Sequence, residues 1–190
     1  GLWAMATPPR PQDEDGTFLP SRNATLIPFD EQTAPIVFWY LGTQIPGSKW
    51  NEIRSRVGQI QSADQQFKRP IMADVLGRER QIAREVSMIG SSPRILNSDI
   101  SLLEYRNTLI EKTRFAPGRF LWTWIQTEPT FANARWRDSS NKLPIVIEPE
   151  QIRLQVYATL SAGCRAVGYW TTNRLDDTSA PGALERKLVI

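Results

Sequence analysis

Short apolar runs alternate along the chain with segments of helical periodicity, and this alternation limits the fold more than any other feature. The runs IVFWYLG, RPIMADVLG, PRILNS, RFLWTWIQ and CRAVGYWTT are rich in β-branched and aromatic residues, which is typical of buried strands. Helical patterns follow them. In the clearest one, Ile152, Val156 and Leu160 recur at i, i+4 and i+8, between Pro149 in the first turn and Gly163 at the stop.

The other helical segments are SKWNEIRSRVGQIQSADQQF, RERQIAREVSMIG, SDISLLEYRNTLIEKTRF and GALERKLVI. Ser48 is the expected N-cap of the first segment, and the second is expected to end at Gly90. The third should turn Leu102, Leu103, Leu109 and Ile110 toward the core. Five strand–helix units in a row predict an α/β fold, with a parallel sheet covered by helices.

Two architectures fit this order, an open doubly wound sheet and part of a (β/α)8 barrel. The segments YLGTQIPG and ADVLGRER lack the glycine spacing of a dinucleotide or P-loop fingerprint, which disfavours the open sheet. A complete barrel takes about 250 residues. We therefore expect the C-terminal five β/α units of a (β/α)8-barrel-like fold. Residues 1–34 would be a proline-rich loop with the end of a strand in GLWAM, and residues 35–190 a barrel-like domain truncated at both ends.

The chain contains no histidine and one cysteine, Cys164. The absence of histidine excludes Ser-His-Asp and Cys-His catalysis and the common zinc sites from this sequence. Acid–base chemistry must then come from Asp, Glu, Tyr or Lys. Cys164 cannot form an internal disulfide and is predicted to be a packed core residue. We expect no metal and no cofactor.

Charge and hydropathy restrict the partners. The formal net charge of +3 is spread among acidic residues, whereas nucleic-acid binding needs a basic patch, so no nucleic-acid partner is expected. The sequence contains no run of about 18 apolar residues, so no membrane span is predicted. The N-terminus lacks a signal-peptide pattern. Because the chain begins with Gly1, we expect its start to be missing, which leaves the compartment unknown and export after loss of a signal peptide open.

The stretch RFLWTWIQTEPT carries the first candidate site. Strand alternation places four of its residues on one face: Trp122, Trp124, Gln126 and Glu128. Barrel enzymes carry their chemistry at the C-terminal ends of the strands. The tryptophans would form the floor of a cleft into which the Glu128 carboxylate projects. The alternative is that Glu128 is a solvated loop residue or a helix-capping acid.

The next strand, AVGYWTTN, ends in Trp170, which could stack on the apolar side of a pyranose ring. Asn173, Asn97 and Asp74 follow or end neighbouring strands, so we expect them at the same rim. Trp170 has a plain alternative role as a core residue. Asp99, which follows the run RIL, has an alternative structural role as the N-cap of the next helix. The predicted catalytic residues are Glu128 and Asp74, and the predicted substrate-binding residues are Trp122, Trp124, Gln126, Trp170, Asn97 and Asn173.

The segments FLWTWIQTEP, PEQIRLQVYATLSAGCRAVGYWTT and ALERKL resemble glycoside-hydrolase-like TIM-barrel proteins, particularly the β-galactosidase-like barrels of the retaining-glycosidase clan. The resemblance covers most of residues 35–190. It implies that Glu128, at the end of the seventh strand, is the nucleophile, and that Trp170, at the end of the eighth, is the sugar floor.

One feature departs from that pattern. The clan's acid/base glutamate ends the fourth strand, whereas the corresponding run IVFWYLGTQ offers only Thr43 and Gln44. The second carboxylate would have to come from Asp74, from Asp99 or from an N-terminal segment outside this sequence.

Three functions follow from these residues. The first is a glycoside hydrolase that acts on a carbohydrate through Glu128. The second is a non-catalytic carbohydrate-binding barrel that lacks the acid/base carboxylate. The third is a magnesium-dependent or phosphate-handling barrel that uses Asp74, Asp99 and Glu128. The partner is a carbohydrate in the first two, and the rest of a barrel or another subunit could complete the fold.

Overall fold

The computed structural model describes residues 4–8, 26, 29, 31–96, 98–129, 146–171, 177–179 and 182–190. The chain divides into two compact units, Gly1–Gly90 with Phe115–Phe120, and Ser91–Arg114 with Leu121–Ile190. The described strands are β1 (Ala4–Ala6), β2 (Ile36–Tyr40), β3 (Ile45–Pro46), β4 (Ile71–Leu76), β5 (Met88–Ser91), β6 (Phe120–Gln126) and β7 (Ala166–Trp170). The described α-helices are α1 (Trp50–Ala63), α2 (Glu79–Glu85), α3 (Leu102–Phe115), α4 (Pro149–Ser161) and α5 (Ala183–Lys187).

In the first unit the strands pair in the order β1-β2-β4-β5, and the short β3 also pairs with β4. Each of these pairings is parallel. All residues of β4 from Ile71 to Val75 are buried, as expected for a parallel strand covered on both faces. The helical spacing of Trp50, Ile53, Val57 and Ile60 predicts the inner stripe of α1, and the last three are buried whereas Trp50 is partly exposed.

The third predicted strand was wrong. Strand β5 covers Met88–Ser91, whereas residues 93–96 of the predicted run PRILNS form no strand. Helix α2 accordingly ends at Glu85, before the predicted stop at Gly90, because Val86 is already extended with φ of −107° and ψ of 156°. Pairing of β5 with β4 overrides the local helical pattern of this segment.

The predicted N-cap of α1 was also wrong. Ser48 lies within a 3₁₀ turn, Gly47–Lys49, and the N-cap position of α1 is Lys49, which makes no side-chain cap.

The second unit contains β6, β7 and helices α3 to α5, and β6 pairs with β7 in parallel. Helix α4 begins as predicted, with Pro149 in its first turn behind a reciprocal cap between Glu148 and Gln151. The chain leaves α4 through Gly163 in the left-handed region, at φ of 90°, where glycine carries no steric penalty.

The start and the buried face of α3 differ from the prediction. Ser101, not Asp99, caps the helix, because the Ser101 hydroxyl accepts the Glu104 amide while the Glu104 carboxylate accepts the Ser101 amide. This bonding lowers the pKa of Glu104. Leu109 is buried as expected, whereas Leu103 is 64% exposed. The buried stripe runs instead through Tyr105, Leu109 and Lys112, because the Tyr105 hydroxyl finds a buried partner in α4.

Candidate functional site

The two faces of β6 differ in exposure, and its neighbour β7 is partly exposed on both faces. The register places Trp122 beside Ala166, Trp124 beside Gly168 and Gln126 beside Trp170, so these side chains share a face. On this face Trp122, Trp124 and Trp170 are partly exposed. On the opposite face Leu121, Thr123 and Ile125 are buried. The predicted alternation of β6 is therefore confirmed along the strand itself, and its tryptophans lie on the more open side.

Gly168 allows the two tryptophans of β6 to lie over β7. A Cβ atom at this position would come within 2.5 Å of Trp124 Cε3 and 2.9 Å of Trp122 Nε1. The rings of Trp122 and Trp124 are themselves 5.8 Å apart between centroids and tilted by 56°. This tilted contact is a favourable arrangement for aromatic pairs. We call the surface formed by Trp122, Trp124 and Trp170 the tryptophan face.

Glu128 follows the end of β6, and tertiary contacts set the position of its carboxylate. The strand stops at Gln126, so strict alternation does not extend to Glu128. Its Oε1 accepts a hydrogen bond from the hydroxyl of Thr171, the residue after β7. The Thr127 hydroxyl donates to the carbonyl of Trp170. These bonds tie the C-terminal ends of β6 and β7 together and hold the carboxylate against Thr171, the residue that follows Trp170.

Arg186 of α5 is the charged partner of Glu128. Its Nη1 lies 3.6 Å from Glu128 Oε1, and the two side chains are only 2% and 7% exposed. Gly182 precedes α5 in the left-handed region, and a Cβ atom there would lie 3.3 Å from Arg186 Nη1. The glycine therefore leaves room for the buried guanidinium. A neighbouring guanidinium stabilises the ionised form of a carboxylate.

Gln126, predicted to bind substrate, is 2% exposed and belongs to a backbone-fixing network. Its side-chain oxygen accepts the Leu96 amide at 3.0 Å, and its Nε2 donates to the Glu128 carbonyl at 3.0 Å. The side chain of Gln155 in α4 bonds both the amide and the carbonyl of Gln126. These contacts fix the backbone on either side of Glu128.

Asp74, predicted to be the second catalytic carboxylate, lies within β4 and is 0% exposed. Its Oδ2 accepts the Gln44 amide at 3.1 Å, where Gln44 adopts a left-handed φ of 50°. Gly90 of β5 approaches so closely that a Cβ atom there would lie 2.8 Å from Asp74 Cβ. These contacts give Asp74 a structural role in holding the chain after β2.

The remaining candidates from the sequence are Asn97, Asn173 and Asp99, together with a magnesium site. Asn97 and Asn173 lie outside the described residues. Asp99 is exposed. Within the described ranges, no three acidic or cysteine side chains gather closely enough to hold a metal ion, so the magnesium alternative finds no ligand set there. None of the described helices has the length and apolar character needed to cross a bilayer. Cys164 is buried against Thr123, and burial raises the pKa of its thiol.

Sequence reasoning missed Arg186 and Thr171. The segment ALERKL drew attention as part of a family resemblance, but one arginine among several basic residues near the C-terminus carried no signal of its own. Thr171 follows the predicted Trp170, yet a hydroxyl next to an aromatic residue is unremarkable in a sequence. Both are recognised as neighbours of Glu128 only from the tertiary contacts at the ends of β6 and β7.

No protein-family model matches the chain, and no curated protein matches it. Among solved structures, the chain is similar to a putative alpha-L-fucosidase from Bacteroides thetaiotaomicron VPI-5482, with 13% sequence identity and a TM-score of 0.54. The alignment covers 79% of this chain and 51% of that chain, so it spans about half of the fucosidase. At this identity the similarity is one of fold. It supports the parallel α/β architecture and fits part of a barrel.

Proposed function

We propose that the chain is part of a glycoside hydrolase that acts on a carbohydrate, with Glu128 as nucleophile or base. The observation that carries this proposal is the Glu128 carboxylate fixed at the C-terminal ends of β6 and β7 by Thr171 and Arg186. Barrel enzymes place catalytic groups at this end of their strands. The similarity in fold to a protein described as a fucosidase agrees with a glycoside-hydrolase-like function.

The charge environment suits a nucleophile better than an acid. A nucleophilic or basic carboxylate must be ionised when the substrate arrives, whereas a general acid must carry its proton. Arg186 favours the ionised form of Glu128, and Thr171 orients one oxygen by a hydrogen bond. In this proposal Arg186 is a positioning residue, and the tryptophan face binds the apolar side of the sugar.

The structure gives no support for Asp74 as the general acid that would partner Glu128. A general acid must reach the oxygen of the leaving group, and in a retaining enzyme the two carboxyl groups lie about 5–5.5 Å apart. Asp74 is fully buried between Gly90 and the Gln44 amide, so a substrate could meet it only after a rearrangement. We therefore assign the acid to no described residue.

The test is Glu128→Gln, assayed on a panel of aryl glycosides that includes an aryl α-L-fucoside. We expect turnover to fall at least about a thousandfold, because an amide cannot act as nucleophile or base. Since the change removes the carboxylate from the buried Arg186, circular dichroism and thermal melting must show that the variant is folded. The matched control is Glu150→Gln, a glutamate of α4 whose side chain is 68% exposed and pairs with Arg153. Equal hydrolysis by wild type and a folded Glu128→Gln variant would refute the assignment.

A second function has its own support, namely a carbohydrate-binding protein without hydrolytic activity. Glu128 is only 6% exposed and already ion-paired, and Asp74 is not exposed at all. If both carboxylates are purely structural, the tryptophan face would still bind sugar. Calorimetry with a glycan panel, run beside the hydrolysis assay, would then give saturable binding without product release.

A further inference from the structure

The tryptophan face carries a cation at its outer end. The guanidinium of Arg94 lies over the ring of Trp170, with its central carbon 4.8 Å from the ring centroid. Arg94 itself is exposed, so its N–H groups can reach a ligand from solvent. A cation over a tryptophan ring is attracted by the negative face of the ring's quadrupole. The contact therefore places a positive charge where a ligand would approach Trp170.

Two described charges near this edge, those of Glu128 and Arg186, balance each other. Glu128 and Arg186 form a buried pair at 3.6 Å, which leaves no net charge from those two side chains. Arg94, in contrast, forms no ion pair with any residue that the structure describes. Among the described residues, Arg94 thus presents an exposed guanidinium without an ion-pair partner beside a partly exposed ring. Guanidinium groups bind carboxylates and sulfate-like oxyanions through paired, charge-assisted hydrogen bonds.

These observations bear on the class of sugar. A neutral sugar that stacked on the covered side of Trp170 would have to displace Arg94 and lose the cation–π contact. An anionic sugar could leave Arg94 in place and gain a charge-assisted hydrogen bond from it. We propose that the glycan bound at the tryptophan face carries an anionic group, a carboxylate or a sulfate ester, that pairs with Arg94. This inference rests on the proposed carbohydrate function and narrows its substrate class.

The test measures binding with matched glycans. Oligosaccharides of glucuronate and of galacturonate are each compared with their methyl esters, which keep the sugar and remove the charge. Oligosaccharides with a 6-O-sulfate are compared with the unsulfated sugar, which separates a sulfate from a carboxylate. Calorimetry at low ionic strength should show roughly tenfold tighter binding of one anionic member than of its neutral counterpart, a preference that falls as salt is added.

Variants assign this preference to Arg94. Arg94→Gln should remove the preference for the anionic glycan, and Arg94→Lys should retain part of it, because the charge remains without the planar pair of donors. The control is Arg80→Gln, since Arg80 is also exposed and lies over an aromatic ring, Phe115 at 5.4 Å, in the other unit. That variant should keep the wild-type preference.

The outcomes separate this inference from the proposed function. Binding or hydrolysis of neutral and anionic members with equal strength would overturn the charge preference and leave the carbohydrate function standing. An unchanged preference in Arg94→Gln would overturn the role of Arg94 in the same way. Failure of the wild-type chain to bind or cleave any member of either panel would overturn both proposals.

Discussion

Strands β4 and β6 belong to different units of the molecule, and they are covered differently. In β4 every residue from Ile71 to Val75 is buried. In β6 the buried positions alternate with partly exposed ones, and the partly exposed ones include Trp122 and Trp124. Large aromatic residues on an incompletely covered face are the kind of surface that binds a ligand or another protein. The comparison separates a strand that is covered from Ile71 to Val75 from one that leaves aromatic side chains partly exposed.

The two strands also differ in how they hold a carboxylate. Asp74 lies inside β4, and its neighbours leave no route to solvent. Glu128 follows β6 at the edge of the strand pair, where side chains from β7 and α5 meet it. A carboxylate within a covered strand is enclosed by the neighbouring backbone. A carboxylate at a strand end lies among the loops, where ligands approach. Two predictions test this contrast and a third tests the helix packing of the second unit, in order of the largest loss of stability that each expects.

The largest effect should come from Arg186→Met. This change leaves the buried Glu128 carboxylate without its cation, and removing one partner of a buried pair costs about 4 kcal/mol. Urea unfolding should show the loss. Arg153→Met is the matched control, because its ion pair with Glu150 is exposed and should contribute well under about 1 kcal/mol. Equal losses in the two variants would mean that the Glu128–Arg186 pair is no more important than a surface contact.

A pair of glycine substitutions contrasts the two strands directly. Gly90→Ala would force a Cβ atom to 2.8 Å from Asp74 Cβ and 3.2 Å from Asp74 Cα, where backbone in a covered strand cannot yield. We expect a loss of about 3 kcal/mol, the upper end for overpacking. Gly168→Ala meets the side chains of Trp124 and Trp122, which can move on their more open face, and should cost about 1 kcal/mol.

Tryptophan fluorescence and chemical unfolding measure both effects. Gly168→Ala should shift the emission spectrum more than Gly90→Ala, because it displaces the tryptophan face. If Gly168→Ala proved the more destabilising of the two, the view of β6–β7 as the more yielding surface would be wrong.

The third prediction concerns the closed side of the second unit. Tyr105 is 1% exposed and its hydroxyl lies 2.7 Å from that of Thr159, which links α3 to α4. Burial raises the pKa of Tyr105 from 10.0 to about 12, so the unfolded chain loses this proton first as pH rises. The tyrosine's contribution to stability is therefore complete below about pH 10 and is lost as pH rises through about 12, with a magnitude of about 2–3 kcal/mol.

Urea unfolding at pH values between 9 and about 12 measures this dependence, within the window set by the two pKa values. Tyr105→Phe removes the titrating hydroxyl and should flatten the pH dependence in that window. Tyr157→Phe is the control, because Tyr157 is 67% exposed on α4. A Tyr105→Phe variant as sensitive to alkali as wild type would show that other groups cause the dependence.

Much of the fold could be predicted from the sequence. The positions of β2, β4, β6 and β7 and of helices α1 and α4 agree with the predicted runs to within a few residues. Strand β5 could not be predicted, because Met88–Ser91 continues a helical pattern and becomes a strand only by pairing with β4. The buried face of α3 was mispredicted for a similar reason, since the contact of Tyr105 with α4 decides which side turns inward.

By itself, the sequence determined the order of strands and helices, the faces of β6 and the glycine and proline boundaries of α4. Each of these depends on residues within a few positions of one another, because side-chain direction and capping are local properties of the backbone. The tertiary structure alone decided that Glu128 meets Thr171 and Arg186, that Asp74 is enclosed and that Arg94 covers Trp170. Those contacts join segments distant in the chain, and they depend on strand register and helix packing, which local patterns do not encode.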